Sequence, residues 1–545
     1  MKVAHVIAEA LGKVGVNRVF GLLGSGNLEV TNALVATGAT FVAARHETGA
    51  VTMADAYARV TGGLGVCTVH QGPGLTNAMT GLAEAVKSRT PLLLLAAEVA
   101  ASAIRSNFRI DQSNLVVSVG AIPERLNGPA TAVADAMRAL RRTQIERRPV
   151  VLMMPLDIQS AESASHGDLL PALVLRPVRP AEDAVAEIAQ RIQRARRPLI
   201  LAGRGAVVAD ARDVLERLGD QVGALFATSV VANGLFSGNP WSLGISGGFA
   251  PPLAAELIAQ ADLVLAFGAS LNMWTTQHGR LLSPHAVVVQ IDHEAQALGS
   301  HHRVDLPVVG DVKETARALL PVLEKRENGW RTPDVAERIR NRTWRTERYE
   351  DASTEQRIDP RTLSIALDEL LPLDRAVAVD SGHFMGYPPM YLRIQSPDAF
   401  VFAQGFQSIG LGLASAIGAA VARPDRATVA ALGDGGALMA LPELETAARL
   451  GLGMLIVIYN DAAYGAEVHH FGPIGEPVNL VKFPDTDFAA IGRALGLDGL
   501  TVRRRADLEP LREWAASPSR NGLVIDAKIV PTVVATWLED AFRGH

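Results

Sequence analysis

Residues 428–465 read TVAALGDGGALMALPELETAARLGLGMLIVIYNDAAYG and carry the most informative motif of the chain. Two apolar runs in this stretch, Thr428–Leu432 and Met454–Tyr459, have the length and composition of buried parallel strands. One helical pattern separates them. An acidic residue follows each run, Asp434 after the first and Asp461 after the second. Because open α/β sheets bind ligands at the carboxyl ends of their strands, the sequence predicts a binding site that contains both carboxylates.

The residues around the two carboxylates suit a phosphate group and a hard cation. Glycines 433, 435 and 436 allow the backbone to approach an anion closely, and the first N–H groups of the following helix can bind phosphate. Carboxylate oxygens next to a phosphate favour Mg²⁺. For Gly-Asp-Gly alone, an ordinary strand–turn–helix with Asp434 as the N-cap is an equal alternative. The second acidic residue, 27 positions later, favours the binding site.

Short apolar runs alternate with helical patterns along the rest of the chain, which predicts an α/β fold of parallel sheets covered by helices. The other strand candidates are Val66–Val69, Pro91–Ala96, Val150–Met154, Leu199–Ala202, Leu263–Phe267, Val287–Ile291 and Leu523–Ala527. Residues 163–180 are rich in proline and predict a linker, and residues 324–360 are rich in Arg and Glu and predict a solvated connector. Three domains follow, with the boundaries 1–162, 181–323 and 358–545.

The composition is typical of a well-packed globular protein, since 48% of the 545 residues are hydrophobic and 20% are charged. The net charge of −5, without a long basic tract, argues against nucleic acid as the main partner. Cys67 is the only cysteine, which excludes an intrachain disulfide and argues against a cysteine-based metal site. The N-terminus predicts an amphipathic helix rather than a signal peptide, and no apolar run approaches the ~20 residues that span a bilayer. We therefore expect a cytoplasmic protein without a membrane partner.

The motif at 433–436 and 460–465 resembles the diphosphate-binding signature of enzymes that use thiamine diphosphate (ThDP). The resemblance covers nearly the whole chain and indicates the branch with acetolactate synthase, benzoylformate decarboxylase, benzaldehyde lyase and pyruvate oxidase. It implies a pyrimidine-binding domain, a Rossmann-like middle domain and a diphosphate-binding domain, in that order. It also implies that the diphosphate and its metal ion lie against Gly433, Asp434, Gly435, Gly436, Asp461, Ala463, Tyr464 and Gly465.

The resemblance assigns the metal ligands to Asp434, Asp461 and the backbone carbonyl of Ala463. The family has an asparagine where this chain has Asp461. The aspartate still offers an oxygen ligand, but it adds a negative charge and makes the preferred ion less certain. Asn460 is the alternative ligand.

The segment Arg45-His46-Glu47 is similar to the element that contacts the aminopyrimidine ring in this family. Taken alone, an acid at a strand-to-helix junction is more typical of a helix start, where the dipole stabilises it. The resemblance instead implies that Glu47 hydrogen bonds to the ring and promotes loss of the thiazolium C2 proton. The turn that contains Pro73 and Asn77 is similar to the Gly-Pro-Gly-x-x-Asn turn on the pyrimidine side.

Two further segments complete the implied coenzyme site. The stretch from Gln407 resembles the one whose large apolar residue, here Ile409, separates the two rings, and the Gln407 carbonyl would accept from the 4′ amino group. A plain core residue is the alternative for Ile409. Gly382 and His383 match the second diphosphate contact.

Three residues are implied at the substrate. Ser25 falls where benzoylformate decarboxylase has a serine that meets the substrate carboxylate, and His70 falls where that enzyme has an active-site histidine. A histidine that caps the turn is the alternative for His70. Gln112 resembles a lyase glutamine that binds a substrate oxygen. The second histidine of the decarboxylase aligns near Thr275, which counts against simple benzoylformate decarboxylation. Glu467, His469 and His470 line the entrance or belong to a solvated helix.

The activity that this resemblance implies is Mg²⁺- and ThDP-dependent cleavage and formation of C–C bonds on 2-keto acids, with an aldehyde or keto acid as possible acceptor. It also implies a homodimer or homotetramer with active sites shared between chains. The alternatives are a pyruvate-oxidase-like enzyme that uses FAD, a 2-hydroxyacyl-CoA lyase and a catalytically silent homologue. The middle-domain motif Gly203-x-Gly205 is too weak to establish FAD, which is possible but not favoured.

Overall fold

The computed structural model describes residues 1–163, 176–326, 329–517 and 520–543. Within these residues it contains three parallel sheets of six strands, each flanked by helices, and the predicted α/β class is confirmed. The central strands are buried on both faces. This is why continuous apolar runs, rather than alternating ones, form them.

The N-terminal sheet is formed by β1 (Arg18–Gly21), β2 (Thr40–Ala43), β3 (Gly65–Val69), β4 (Leu92–Glu98), β5 (Ile122–Arg125) and β6 (Pro149–Pro155). Its helices are α1 (Val3–Lys13), α2 (Leu28–Ala36), α3 (Glu47–Thr61), α4 (Pro73–Asn77), α5 (Met79–Lys87), α6 (Gln112–Ser118), α7 (Ala132–Glu146) and α8 (Leu156–Ser160). The strand order is β2-β1-β3-β4-β6-β5. Because all pairs are parallel, the loops after these strands lie along one edge.

The middle sheet is formed by β7 (Pro198–Ala202), β8 (Leu225–Thr228), β9 (Ser242–Ile245), β10 (Leu263–Phe267), β11 (Val287–Asp292) and β12 (Leu306–Val309). Its helices are α9 (Glu182–Arg194), α10 (Arg204–Val208), α11 (Arg212–Val222), α12 (Pro252–Ala259), α13 (Met273–Thr276) and α14 (Val312–Leu319). The order β12-β11-β10-β7-β8-β9 reverses between β7 and β10. The connector to the last domain contains α15 (Pro333–Asn341).

The C-terminal sheet is formed by β13 (Arg375–Val379), β14 (Phe400–Phe402), β15 (Ala427–Gly433), β16 (Leu455–Asn460), β17 (Asp498–Val502) and β18 (Leu523–Lys528). Its helices are α16 (Pro360–Leu370), α17 (Tyr387–Tyr391), α18 (Gly412–Ala422), α19 (Asp434–Met439), α20 (Pro442–Arg449), α21 (Gly465–Phe471), α22 (Phe488–Ala494), α23 (Pro510–Ala516) and α24 (Leu538–Phe542). The order is β14-β13-β15-β16-β18-β17.

The predicted strands agree with the structure to within two residues at each end. One difference lies between β15 and β16, where α20 is the helix predicted over residues 441–450 and α19 is an additional short helix before it. Pro442 at the start of α20 separates them, since proline suits a first helical turn but not a helix interior. Most of the predicted linker at 163–180 lies outside the described residues. We propose the domain boundaries 1–162, 181–323 and 358–545, which enclose the three sheets.

The N-terminal and C-terminal domains pack against each other through α3 and α18, which share one hydrophobic core. Small residues allow this close contact. A Cβ on Gly418 of α18 would lie only 2.3 Å from the carbonyl oxygen of Met53 on α3. No helix in the described ranges has both the length and the apolar character needed to cross a membrane.

Candidate active site

Asp434 and Asp461 lie together at the carboxyl edge of the C-terminal sheet. They follow β15 and β16, which are parallel neighbours with Gly433 opposite Tyr459. The two carboxyl groups hydrogen bond to each other, and the N–H of Ala463 donates to both. Burial raises the pKa of Asp434, and burial together with the charge of Asp434 raises the pKa of Asp461. Burial and the charge of the neighbouring group favour the protonated form of such a pair, and a bound divalent cation would displace the proton.

The alternative ligand Asn460 is occupied elsewhere. Its side-chain amide donates to Asp526 Oδ1 at 2.9 Å and to the Thr486 carbonyl at 3.2 Å, and its Oδ1 accepts the N–H of Ala462 at 3.1 Å. Between the two candidates, Asp461 is therefore the one that faces Asp434.

Glycines form the backbone cradle around this pair. A Cβ on Gly435 would lie 2.5 Å from the ring of Tyr464, and one on Gly465 would lie 2.4 Å from Asp461 Oδ2. Real Cβ atoms do not approach so closely, so a side chain at either position would require Tyr464 or Asp461 to move. On Gly436, a Cβ would lie 2.3 Å from Asp380 Oδ2. At the start of α19, the N–H groups of Asp434 and Gly435 donate to the Asp434 carboxylate.

His383 supplies a hydrogen-bond donor beside the cradle. Its Nε2 accepts the N–H of Ala535 at 3.0 Å. Burial, with a contribution from His469, lowers the pKa of His383 to about 3, so the ring is neutral and its proton lies on Nδ1. That Nδ1 is buried and has no hydrogen-bond partner within the described residues. Gly465 packs directly against the His383 side chain.

The loop that carries Gln407 and Ile409 is held by a buried carboxylate. Asp380 accepts the N–H groups of Gly410 at 2.9 Å and Leu411 at 3.1 Å. Gln407 is exposed and has a φ of +61°, in the left-handed region. Ile409 is only half-buried, which distinguishes it from the core residues around it. Gly382, on the neighbouring turn, has a φ of +136°.

In the N-terminal domain, Glu47 is the first residue of α3 and is buried at 7% exposure. The Asn77 amide donates to its Oε2 at 3.1 Å. A Cβ on Gly74 would lie 3.5 Å from Glu47 Oε1, so the turn that begins at Pro73 packs against the carboxyl group. The fold thus brings the two predicted pyrimidine-side motifs together.

His70 lies near this group, at the carboxyl end of β3. Its Nδ1 accepts the N–H of Gly26 at 3.1 Å, so its Nε2 carries the proton in the neutral ring. Burial lowers the pKa of His70, and the charge of Glu47 opposes that effect. The rings of His70 and Phe108 pack edge to face, with their centroids 5.1 Å apart. Ser25 is exposed on the loop before α2.

Gln112 is buried at 2% exposure and is bound to the main chain at both ends of its amide. Its Oε1 accepts the N–H of Gly72 at 3.0 Å, and its Nε2 donates to the carbonyl of Ala97 at 3.1 Å. Gly72 has a φ of +63° and directly precedes Pro73. This geometry favours a role in holding the turn, and the predicted contact with substrate stays a prediction.

The entrance residues Glu467, His469 and His470 lie on α21 and are half-buried. The ring of His469 is 4.4 Å from that of His383, and the ring of His470 stacks on Phe542 at 3.9 Å. His469 and His470 are therefore packed against His383 and Phe542 rather than fully solvated.

In the middle domain, Gly203 and Gly205 contact the loop after β10. A Cβ on Gly203 would lie 2.2 Å from the Gly268 carbonyl oxygen, and the Gly205 N–H donates to the same oxygen at 3.0 Å. The glycines of this motif serve backbone packing where the strand order reverses. This contact gives no support for FAD.

Sequence reasoning missed the anchoring role of Asp380 and the contact of Phe108 with His70. Asp380 directly follows β13, and an acidic residue at the end of a strand is a signal for a site residue. Its partners, however, are loop N–H groups 30 and 31 positions away, which no local pattern indicates. Phe108 lies in a stretch without hydrophobic periodicity, so no sequence pattern indicates it.

Three family models of thiamine pyrophosphate (ThDP) enzymes match the chain. The N-terminal TPP binding domain matches residues 1–117, the central domain matches residues 185–319, and the C-terminal TPP binding domain matches residues 380–527. Together they span both carboxyl edges described above.

Several curated proteins are similar over almost their full length. A probable 2-ketoarginine decarboxylase of Pseudomonas aeruginosa is 30% identical, over 96% of this chain and 92% of its own. The acetolactate synthase large subunit of Parasynechococcus marenigrum is 29% identical, over 94% and 85%. The sulfoacetaldehyde acetyltransferase of Castellaniella defragrans is 27% identical, over 100% and 95%. With the three matched domains, these similarities show that the chain belongs to the thiamine pyrophosphate enzyme family.

Proposed function

We propose that this protein is a Mg²⁺- and ThDP-dependent enzyme that cleaves and forms C–C bonds on 2-keto acids, by decarboxylation and carboligation. The observation that carries the proposal is the buried pair of Asp434 and Asp461 beside the glycine cradle. Two buried carboxyl groups side by side offer oxygen ligands that fit a divalent cation, and the closely packed glycines beside them suit a diphosphate. A magnesium ion and a cytoplasmic location are parts of the proposal.

The residues present fit the coenzyme. The neutral His383 has an unpartnered buried Nδ1–H, which suits a phosphate oxygen. Asp434, Asp461 and the Ala463 carbonyl would hold the metal ion. The described part of the chain offers no set of three His, Cys, Asp or Glu side chains for a metal, so main-chain and diphosphate oxygens would complete the ligand set. The other diphosphate contacts would be Gly382, Gly433, Gly435, Gly436, Tyr464 and Gly465.

When bound, ThDP supplies a carbon nucleophile for the keto-acid carbonyl. Glu47, oriented by Asn77, would exchange a proton between its carboxyl oxygen and the aminopyrimidine ring. The neutral His70, whose Nδ1 is already occupied by Gly26, would donate from Nε2 to the substrate oxygen. Ser25 would bind the substrate carboxylate. Pro73, Gln407 and Ile409 would position the rings, and Gln112 would support the turn at Gly72.

We also propose that two chains share each active site, in a homodimer or homotetramer. Large apolar side chains are exposed at the carboxyl edges of both coenzyme-binding domains. In the N-terminal domain they include Leu23 at 41% and Phe108 at 42% exposure, and in the C-terminal domain Phe406 at 48% and Met439 at 61%. Apolar groups around a polar site are typical of a surface that a partner covers.

Turnover of a panel of 2-keto acids tests this proposal. The purified protein is incubated with ThDP, MgCl₂ and each acid, with and without an aldehyde, and CO₂ and ligation products are measured. We expect CO₂ release that depends on both additions and is lost in Asp434→Asn. A protein that binds ThDP but consumes none of the acids would contradict the proposed reaction. A protein that binds no ThDP would contradict the proposed site.

A further inference from the structure

The two coenzyme-binding domains have the same strand order, which makes their elements equivalent. The two strand orders follow one pattern, β2-β1-β3-β4-β6-β5 in the N-terminal domain and β14-β13-β15-β16-β18-β17 in the C-terminal domain. In this pattern β3 corresponds to β15 and β4 corresponds to β16. Helix α5, between β3 and β4, is therefore the counterpart of α20, between β15 and β16. Likewise, the segment after β2 is the counterpart of the segment after β14. These four pieces meet at the contact between the domains.

On the N-terminal side, α5 provides Glu84, whose side chain is fully buried. Its Oε1 accepts the N–H of Gly405 at 3.1 Å, and its Oε2 accepts the N–H of Phe406 at 2.7 Å. Arg59 donates to the same carboxylate at 2.9 Å and also to the Phe402 carbonyl at 3.2 Å. Burial acts to raise the pKa of Glu84, but Arg59 and the two N–H groups bring it below its ordinary value.

On the C-terminal side, α20 provides Glu443, which is buried at 3% exposure. Its carboxylate accepts the N–H of Arg45 at 3.1 Å and the N–H of His46 at 3.0 Å. The Thr446 hydroxyl donates to it at 2.6 Å. A Cβ on Gly49 would lie 2.3 Å from Glu443 Oε1, so glycine is required for this approach.

Both glutamates thus bind two consecutive N–H groups of the opposite domain, directly before a predicted coenzyme residue. Glu47 follows His46, and Gln407 follows Phe406 with Ile409 close behind. A carboxylate that accepts two adjacent N–H groups orients the intervening peptide plane. Because a displacement of about 1 Å can cost about a hundredfold in rate, this orientation matters for residues that act on the coenzyme.

We propose that Glu84 and Glu443 are reciprocal positioning residues, each of which holds in register the coenzyme-contacting segment of the other domain. Glu443 sets the place of Glu47, and Glu84 sets the place of Gln407 and Ile409. Neither glutamate is a catalytic residue. The inference rests on the proposed function for its effect on the reaction, whereas the hydrogen bonds themselves are independent of it.

The test compares Glu84→Gln and Glu443→Gln with a control, Glu445→Gln. Glu445 is part-exposed at the same domain contact and pairs with the Arg45 side chain, but among the described residues it accepts no main-chain N–H group of either segment. The first measurement is amide hydrogen exchange of the chain without ThDP. We expect Glu443→Gln to increase exchange in residues 44–49 and Glu84→Gln to increase it in residues 403–411. Each variant should leave the other segment protected, and the control should leave both protected.

The second measurement uses ThDP and the best keto acid of the panel. We expect kcat to fall at least about tenfold in both variants at saturating ThDP, with KM for the keto acid changed less than about twofold, and Glu443→Asp to recover part of the loss. Unchanged exchange in both segments, or altered exchange with kcat within twofold of wild type, would overturn the proposal. If Glu84→Gln fails to fold, Glu443→Gln decides. If the wild-type protein binds no ThDP, the proposed function fails and the exchange result still decides the hydrogen-bonding role.

Discussion

Glu47 and Asn77 are the pair of side chains on which the proposed proton transfer depends. Asn77 belongs to the turn that starts at Pro73, so the carboxyl group is oriented by a neighbour 30 positions away. Removal of an acid that transfers a proton in the rate-determining steps typically costs about 10²–10⁴ in rate.

We therefore expect Glu47→Gln to lower kcat by about 10²–10⁴, because the amide keeps the hydrogen bond to Asn77 but cannot exchange the proton. The measurement is steady-state turnover with saturating ThDP and MgCl₂. Glu9→Gln, on the exposed face of α1, is the matched control and should turn over like wild type. Full activity in Glu47→Gln would refute the role of this residue.

The pair of Asp434 and Asp461 makes stability depend on pH. Because the pKa of both groups is raised in the folded chain, the folded state binds more protons than the unfolded state above the ordinary carboxyl range of about pH 4. Stability then falls as pH rises from about 4 toward neutrality. In the proposed metal site a divalent cation would take the place of the proton, so the stability that the cation adds should grow over the same pH range.

We expect the rise in Tm on addition of MgCl₂ and ThDP to be larger at pH 8 than at pH 5, measured by calorimetry. Chelation with EDTA should abolish the rise. Asp461→Asn should weaken the pH dependence of stability in the metal-free chain, because the variant lacks the repulsion between two neighbouring carboxylates. The variant should still bind the metal through Asp434. A pH-independent response to MgCl₂ would contradict a metal site at this pair.

At the scale of elements, the first turn of α19 must approach its neighbours very closely. Gly436 lies where a Cβ would be 2.3 Å from Asp380 Oδ2, and Asp380 in turn holds the loop of Gln407 and Ile409. The first turn of α19, proposed to bind the diphosphate, and the loop of Gln407 and Ile409, proposed to position the rings, therefore both contact one buried carboxylate, that of Asp380. A change in the turn should disturb both.

We expect Gly436→Ala to destabilise the protein by about 1–3 kcal/mol, because the methyl group overpacks against Asp380. The affinity for ThDP should fall as well. Denaturant unfolding and ThDP titration measure the two effects. Gly128→Ala is the control, since a Cβ at Gly128 meets nothing within 4 Å. Equal behaviour of the two variants would show that the turn tolerates a side chain.

At the scale of the whole molecule, the carboxyl edges of the two coenzyme-binding domains expose apolar side chains around polar site residues. Met439, at the end of α19, is 61% exposed. If a second chain covers this edge, a charge there must be buried without a partner on assembly.

We expect Met439→Glu to weaken self-association by more than about tenfold. A tenfold change corresponds to only ~1.4 kcal/mol, and the burial of an unpaired charge costs more than that. Sedimentation velocity at several concentrations measures this. Specific activity should then fall on dilution earlier than in wild type. Val322→Glu, at 50% exposure near the end of the middle domain, is the control and should assemble normally. Assembly of Met439→Glu at wild-type strength would argue against a shared site at this edge.

Much of the fold was predictable from local pattern. Apolar runs such as Leu263–Phe267 are strands with the predicted bounds, because a strand buried on both faces needs continuous hydrophobicity. The adjacency of Asp434 and Asp461 also follows from two strands joined by one crossover. The short helix α19, which precedes the predicted helix α20, was missed.

The sequence by itself determined the α/β class and the residues that end each strand, since these depend on composition and spacing within a few tens of residues, and its motifs indicated the family through their resemblance to known enzymes. The tertiary structure decided that Asp461 rather than Asn460 faces Asp434, that Gln112 supports a turn, and that Glu443 binds the backbone before Glu47. The last contact joins residues 398 positions apart. Such pairings leave no local trace, because only the packing of α3 against α18 brings the groups within hydrogen-bonding distance.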